Sequence, residues 1–202
     1  MDNPKWDIRR QRMKRRIRIA DIQAALDGFV ESGLVREFLP TSSEAPVARR
    51  RRRFGKKERA LIKEIIEKFC PRFAPGATVA YIGDAESKFL HLEAAYLKGL
   101  GVVIAPSAKM PDVVVHDTKR NWLVLVEAVA SAGALDWKRR KELKELFKGC
   151  KAGLLFVTAF ETRHAMQSFL SQISWETEVW VAESPSHLVH FDGERFLGPY
   201  PD

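Results

Sequence analysis

The stretch KMPDVVVHDTKRNWLVLVEAV, residues 109–129, decides how this chain is read. Two apolar runs, Val113 to Val115 and Leu123 to Val129, flank the polar residues Asp117, Thr118, Lys119, Arg120 and Asn121, the pattern of a β-hairpin. With Lys119 and Arg120 at the tip, Thr118 pairs with Asn121, and the ladder carried downward pairs Asp112 with Glu127. Directly opposed residues of an antiparallel ladder have Cβ atoms roughly 4.5–5.5 Å apart and point to the same face. Two carboxylates held so close repel unless something positive lies between them. A hard, oxygen-loving cation such as Mg²⁺ meets that need. A hairpin whose two acids lie at a solvated sheet edge is the alternative on spacing alone.

Composition bounds the possibilities. The 202 residues suit one domain, or a small domain with an appendage, and 46% hydrophobic residues suffice for a core. Cys70 and Cys150 are too few for a disulfide framework and lack zinc-ligand spacing, which fits a reducing cytoplasm. No apolar run reaches the ~18 residues of a membrane span, and the basic N-terminus has no apolar stretch of a signal peptide behind it. The expectation is a soluble cytoplasmic protein with no membrane partner.

The net charge of +8 is concentrated at one end. Residues 1–60 hold 17 Lys/Arg against 8 Asp/Glu, whereas 61–202 are almost neutral. One cluster runs from Arg9 to Arg18 and includes Arg15 and Arg16; a second, Arg49 to Arg53, includes Arg50, Arg51 and Arg52. Such clusters are the usual footprint of phosphate-backbone binding, with a solvated helix face or linker as the plainer reading. Between them Ile22, Ala25, Leu26, Phe29 and Val30 have helical spacing closed by Gly33, and the segments around TSSEAP can form two strands of a basic wing. A helix followed by such a wing is the remnant of a winged helix-turn-helix. The spacing predicts a second helix over KKERALIKEIIEKFC, ending before Pro71.

From Ala77 onward strand and helix signals alternate. ATVAYIGD reads as a strand, SKFLHLEAAYLKGLG as a helix, GVVI as a short strand, then the hairpin. WKRRKELKELFKG follows as a charged helix, GLLFVTAF as a buried strand, TRHAMQSFLSQI as a helix, EVWVAE as a strand, and HLVHFDGERF as a closing hairpin. That order predicts an α/β domain with a mixed sheet of about five main strands flanked by helices. Gly76, Gly101 and Gly153 read as turns, and Trp122, Trp137, Trp175 and Trp180 as core.

Strand, helix, hairpin with Pro-Asp opening its first strand and Glu late in its second, helix, strand: this order matches the core of PD-(D/E)XK nucleases. Over its last ~125 residues the chain closely resembles the BsuBI/PstI family of type II restriction endonucleases, through YIGD-AESK, KMPDVVVH, NWLVLVEAV-AS-AG, KRRKEL, GLLFVTAF, WETEVWVAE and HFDGERFLGPY. Its first ~70 residues resemble that family's helix-turn-helix region only loosely and look shortened. The division implied is residues 1–72, a basic helical segment, and 73–202, an endonuclease-like domain.

The resemblance implies Mg²⁺-dependent, sequence-specific hydrolysis of double-stranded DNA by a homodimer, with a companion DNA methyltransferase as genetic partner. Asp112 and Glu127 match the metal-binding and catalytic carboxylates. Asp84 is a candidate third acid, or else the N-cap of a helix starting near Ser87. Ala128 is the X of the motif and faces away. The departure is Val129, which stands where the superfamily usually has lysine and should point into the site without a charge. Lys138 is the first candidate replacement, with Lys88 and Lys141 behind it. Lys88, Ser131, Gly133, Arg139 and Lys141 are expected to contact DNA, together with the basic N-terminal clusters. His116 reads as a packed histidine. Two other functions compete: a nuclease-derived DNA-binding protein that no longer cuts, and a transcription regulator whose α/β domain only dimerises.

Overall fold

The structure, a computed structural model, describes residues 56–84, 88–105, 107–130 and 133–193. Arg15, Arg16, Arg50, Arg51, Arg52 and Ser131 lie outside them. In chain order the elements are helix α1 (Lys56–Glu64), a π-helical turn (Ile65–Phe69), α2 (Cys70–Phe73), β1 (Thr78–Asp84), β2 (Lys88–Leu92), α3 (Ala94–Gly99), β3 (Val113–Asp117), β4 (Trp122–Val129), α4 (Trp137–Leu146), β5 (Gly153–Phe160), α5 (Arg163–Gln167), β6 (Thr177–Val181) and β7 (Leu188–Phe191). The strands form one seven-stranded sheet ordered β2-β1-β3-β4-β5-β6-β7. β4, β5 and β6 run parallel and the other pairs antiparallel. Parallel neighbours need a crossover, and α4 and α5 supply the two.

Both faces of the sheet are covered, which is why the central strands are apolar throughout rather than alternating. On one face Leu61, Ile62, Ile65, Ile66 and Phe69 pack with Val124, Val126, Ala128, Val157 and Trp180. Burial of each of those large side chains contributes about 1.5–3 kcal/mol. Helix α1, the π turn and α2 therefore pack onto this face of the sheet. On the other face Leu123, Leu125, Leu135, Leu143 and Phe147 form a second cluster, and Val129, Ala134, Phe160 and Ile173 a third. Both cysteines are free; burial pushes the Cys70 thiol up to about 12 and raises that of Cys150.

Several sequence expectations are corrected. Lys88–Leu92 is a strand, not the start of a helix. β1 and β2 pair Ile82 with His91 and Gly83 with Phe89, so Leu90 is an extra, bulged residue. The bulge sends Leu90 to the first cluster and Leu92 to the second, which destroys the alternation that marks a strand. With β2 formed, helix α3 starts only at Ala94, so Asp84 caps no helix near Ser87. GVVI carries no strand: Val102 is buried but the backbone is irregular. The sheet has seven strands rather than five. The helical path runs through Pro71 to Phe73 because the π turn, closed by Cys70 N–H on the Ile65 carbonyl, precedes a residue with no N–H to give. α5 stops at Gln167, well short of Ile173, and β7 pairs back onto β6.

Trp180 is fully buried as expected. Trp137 and Trp175, at 69% and 68% exposed, are not core residues, and Trp122 is exposed beside Arg120, whose guanidinium lies 4.5 Å from its ring. One glycine does more than turn the chain. Gly101 has φ +89°, and a Cβ there would stand 2.1 Å from the Gly149 carbonyl oxygen, so the turn after α3 presses directly on the turn after α4.

Candidate active site

The site is built on the β3–β4 hairpin. The observed ladder pairs Asp117 with Trp122 and so on down to Val113 with Val126, so the next pair is Asp112 with Glu127, the register predicted from the apolar runs. Asp112 sits one residue before β3, and its carboxylate reaches across: Ala128 N–H donates to Asp112 Oδ2 at 2.7 Å. On its other side Gly83 N–H donates to the Asp112 carbonyl at 2.7 Å, which brings the end of β1 against the same residue. Asp84 follows Gly83 and pairs with Lys88 in the β1–β2 ladder; the side chains of both lie outside the described residues.

The far end of the hairpin fixes this register. Asp117 Oδ1 accepts the N–H groups of Lys119 and Arg120, and Oδ2 accepts Arg120 Nε at 2.6 Å. Burial works to raise the Asp117 carboxyl, but the hydrogen bonds and charge of Arg120 outweigh it and hold the group below the ordinary carboxylate range. Arg120 Nη2 also donates to the Phe73 carbonyl, tying the turn to the end of α2. His116 is packed as expected. Asn121 Nδ2 donates to the Lys151 carbonyl, so its Oδ1 accepts from His116 Nε2 at 3.2 Å; Tyr96 Oη then donates to Nδ1 at 2.6 Å in the neutral imidazole.

Around Glu127 the structure brings up Arg139 rather than the expected Lys138. Asp136 caps α4 by accepting Arg139 N–H at 2.7 Å, which fixes the first turn. Each helical residue turns about 100°, so Arg139 faces the sheet while Lys138 and Lys141 are exposed. Arg139 Nε donates to Glu127 Oε1 at 2.8 Å, Nη2 stands 2.7 Å from the same oxygen in an ion pair, and Nη2 donates to the Met110 carbonyl at 3.0 Å. Lys138 makes no such contact. Arg139, expected on DNA, is thus bound to the candidate catalytic glutamate. Lys141 Nζ lies 5.8 Å from the Trp137 ring, outside this group. Gly133 is exposed, with open space where a Cβ would be.

Val129 shares its face of β4 with Glu127 but does not open into the site. It is buried with Ala134, Phe160 and Ile173, because the chain after the strand folds back over it. Sequence reading missed Thr158, the ladder partner of Glu127 on β5. Thr158 is fully buried, and its hydroxyl has no hydrogen-bond partner among the described residues. Two carboxylates and a hydroxyl, all hard oxygen donors on neighbouring strands, form a set that fits Mg²⁺ better than a soft metal. No cluster of three His, Cys, Asp or Glu occurs among the described residues, whose side chains do not include that of Asp84.

Comparison with known proteins fits this geometry. A family model of the BsuBI/PstI restriction endonuclease domain matches residues 47–194, most of the chain. The chain belongs to the BsuBI/PstI restriction endonuclease domain family. The type II restriction enzyme BsuBI of Bacillus subtilis is 53% identical over 140 residues, covering 69% of this chain and 44% of that enzyme. The type II restriction enzyme AplI of Arthrospira platensis is 31% identical over 144 residues, covering 68% of this chain and 44% of that one. Among solved structures, the SdaI restriction endonuclease superposes with a TM-score of 0.65 at 49% identity, covering 72% of this chain and 46% of SdaI. This BsuBI/PstI domain thus has the PD-(D/E)XK nuclease fold, and the chain spans less than half the length of the relatives it matches. No helix among the described residues is long and apolar enough to cross a membrane.

Proposed function

We propose that this chain is the cutting part of a type II restriction endonuclease, hydrolysing phosphodiesters of double-stranded DNA with Mg²⁺. The observation that carries the reading is the hairpin ladder, which opposes Asp112 to Glu127 while Ala128 N–H holds the Asp112 carboxylate against β4. Asp112 and Glu127 would hold the cation, with Asp84 as third acid from the adjacent end of β1. When bound, Mg²⁺ supplies a lowered water pKa and takes up charge from the phosphate. The chain's own residues orient the carboxylates, exclude solvent from one face of the sheet through α1, and offer Arg139 as the nearby positive charge.

Cutting both strands at a palindrome needs two symmetric sites, so a homodimer is part of the proposal. Lys88, Ser131, Gly133 and Lys141 are proposed DNA contacts, and the basic residues Arg15, Arg16, Arg50, Arg51 and Arg52 would supply backbone affinity. A companion methyltransferase and a cytoplasmic location follow from the same reading.

Digestion of methylation-free genomic DNA with Mg²⁺, followed by sequencing of the ends, tests it. Discrete cut sites are expected from the wild type, and none from Glu127→Ala, which should still bind DNA. Unchanged cleavage by that variant refutes the site. A second reading, a DNA-binding protein that no longer cuts, draws support from the burial of Val129 in the motif-lysine position. It predicts DNA binding without discrete fragments from the wild type.

A further inference from the structure

Arg139 and a divalent cation would compete for the same atom. Nε donates to Glu127 Oε1, Nη2 pairs with the same oxygen at 2.7 Å, and Nη2 donates to the Met110 carbonyl, two residues before Asp112 in the chain. A third contact, Nη1 to Glu142 Oε2, is long at 3.5 Å. The pair is mostly shielded, with Glu127 16% and Arg139 20% exposed, so its charges interact more strongly than a surface pair would. The guanidinium carries its charge permanently. Only movement removes it.

We propose that Arg139 is a built-in competitor for the cation site: it neutralises Glu127 in the metal-free protein and must leave Oε1 for a divalent ion to bind there. This rests on the reading of Asp112 and Glu127 as a cation pair and goes beyond it. The released guanidinium stays close to the hairpin because Asp136 and the α4 backbone fix its root. Its donors would then face a phosphate lying over Asp112 and Glu127, supplying the charge that Val129 cannot. Coupling follows from the same geometry. A DNA phosphate that draws Arg139 off Glu127 tightens the cation site, and a bound cation frees Arg139 for the phosphate.

A residue that merely positioned Glu127 would behave in the opposite way, since its loss would loosen the ligand and weaken metal binding. Mn²⁺ alone is titrated calorimetrically into the 202-residue chain and its Arg139→Gln, Arg139→Lys and Glu127→Gln variants. Arg139→Gln should bind Mn²⁺ roughly tenfold tighter, equivalent to ~1.4 kcal/mol of removed competition, while cleaving DNA more slowly. Arg139→Lys, which keeps the charge but not the fork onto Oε1 and Met110, should fall between Arg139→Gln and wild type. It also serves if Arg139→Gln does not fold. Equal or weaker Mn²⁺ binding by the folded Arg139 variants, with binding abolished in Glu127→Gln, overturns the competition and leaves the cation pair intact. Wild-type Mn²⁺ binding in Glu127→Gln overturns the cation pair itself, and the competition with it.

Discussion

Replacing Asp117 by asparagine should loosen the hairpin from the end opposite the site. Asparagine keeps one oxygen for the N–H groups of Lys119 and Arg120, but presents an amide donor where Oδ2 accepted Arg120 Nε. A charge-assisted hydrogen bond contributes about 1.5–3 kcal/mol. The Asp117 side chain is only 3% exposed, but Arg120 is 42% exposed, so solvent screening reduces the loss to about 1–2 kcal/mol. For a chain of this size that lowers Tm by about 3–6 °C. The pH dependence has a definite sign. The folded-state pKa of Asp117 is depressed, so its stabilisation is present above the unfolded value of about 3.9 and is lost as pH falls through the folded value. Melting curves of wild type and Asp117→Asn, followed by circular dichroism from pH 7 to pH 3, should show a constant gap down to about pH 5 that then narrows. Equal Tm at pH 7, or a gap that widens in acid, refutes the reasoning.

Two further outcomes follow from exposure and pairing. Trp137→Ala and Lys141→Ala, on the outer side of α4, should weaken DNA binding, and loss of Lys141 should reduce the slope of log affinity against log salt by about 0.9, the share of one phosphate contact; an unchanged slope in a filter-binding salt series places the DNA elsewhere. Thr158→Val removes a buried hydroxyl with no partner among the described residues and should raise stability by about 0.5–1 kcal/mol in urea unfolding, whereas a loss above ~1 kcal/mol means that the hydroxyl is satisfied in solution.

What was legible in the sequence is what depends on short-range alternation. Val113 to Asp117 and Trp122 to Val129 surround a turn rich in polar residues, and the register followed to the residue. The helix 137–146 was legible too, because a charged run between two apolar strands reads as a helix; its role as a parallel crossover came from the structure. Lys88–Leu92 was hidden by its bulge at Leu90, whose extra residue breaks the period of two. The exposed tryptophans misled because residue type is a weak guide to depth for Trp137, which opens α4, and for Trp175, which precedes β6. At the site, Asp112 and Glu127 came from register, but Arg139 did not. Lysine was sought by type, whereas the cap at Asp136 sets the rotation of α4 and turns Arg139, not Lys138, toward Glu127. That cap was readable, since an aspartate directly precedes the helix.

The π-helical turn at Ile65–Phe69 gives this helix one place where a change of residue count is absorbed. The Phe73 carbonyl is anchored by Arg120, so the helix is indexed from its C-terminal end. Deleting one residue between Ile65 and Phe69 would restore ordinary α winding and leave the residues before the deletion facing as they do, because the wider turn winds about one residue more into the same rotation. Leu61 and Ile62 would stay against Val124 and Val126. The helix carries its spare residue in this turn, and a deletion there takes up slack instead of breaking the register.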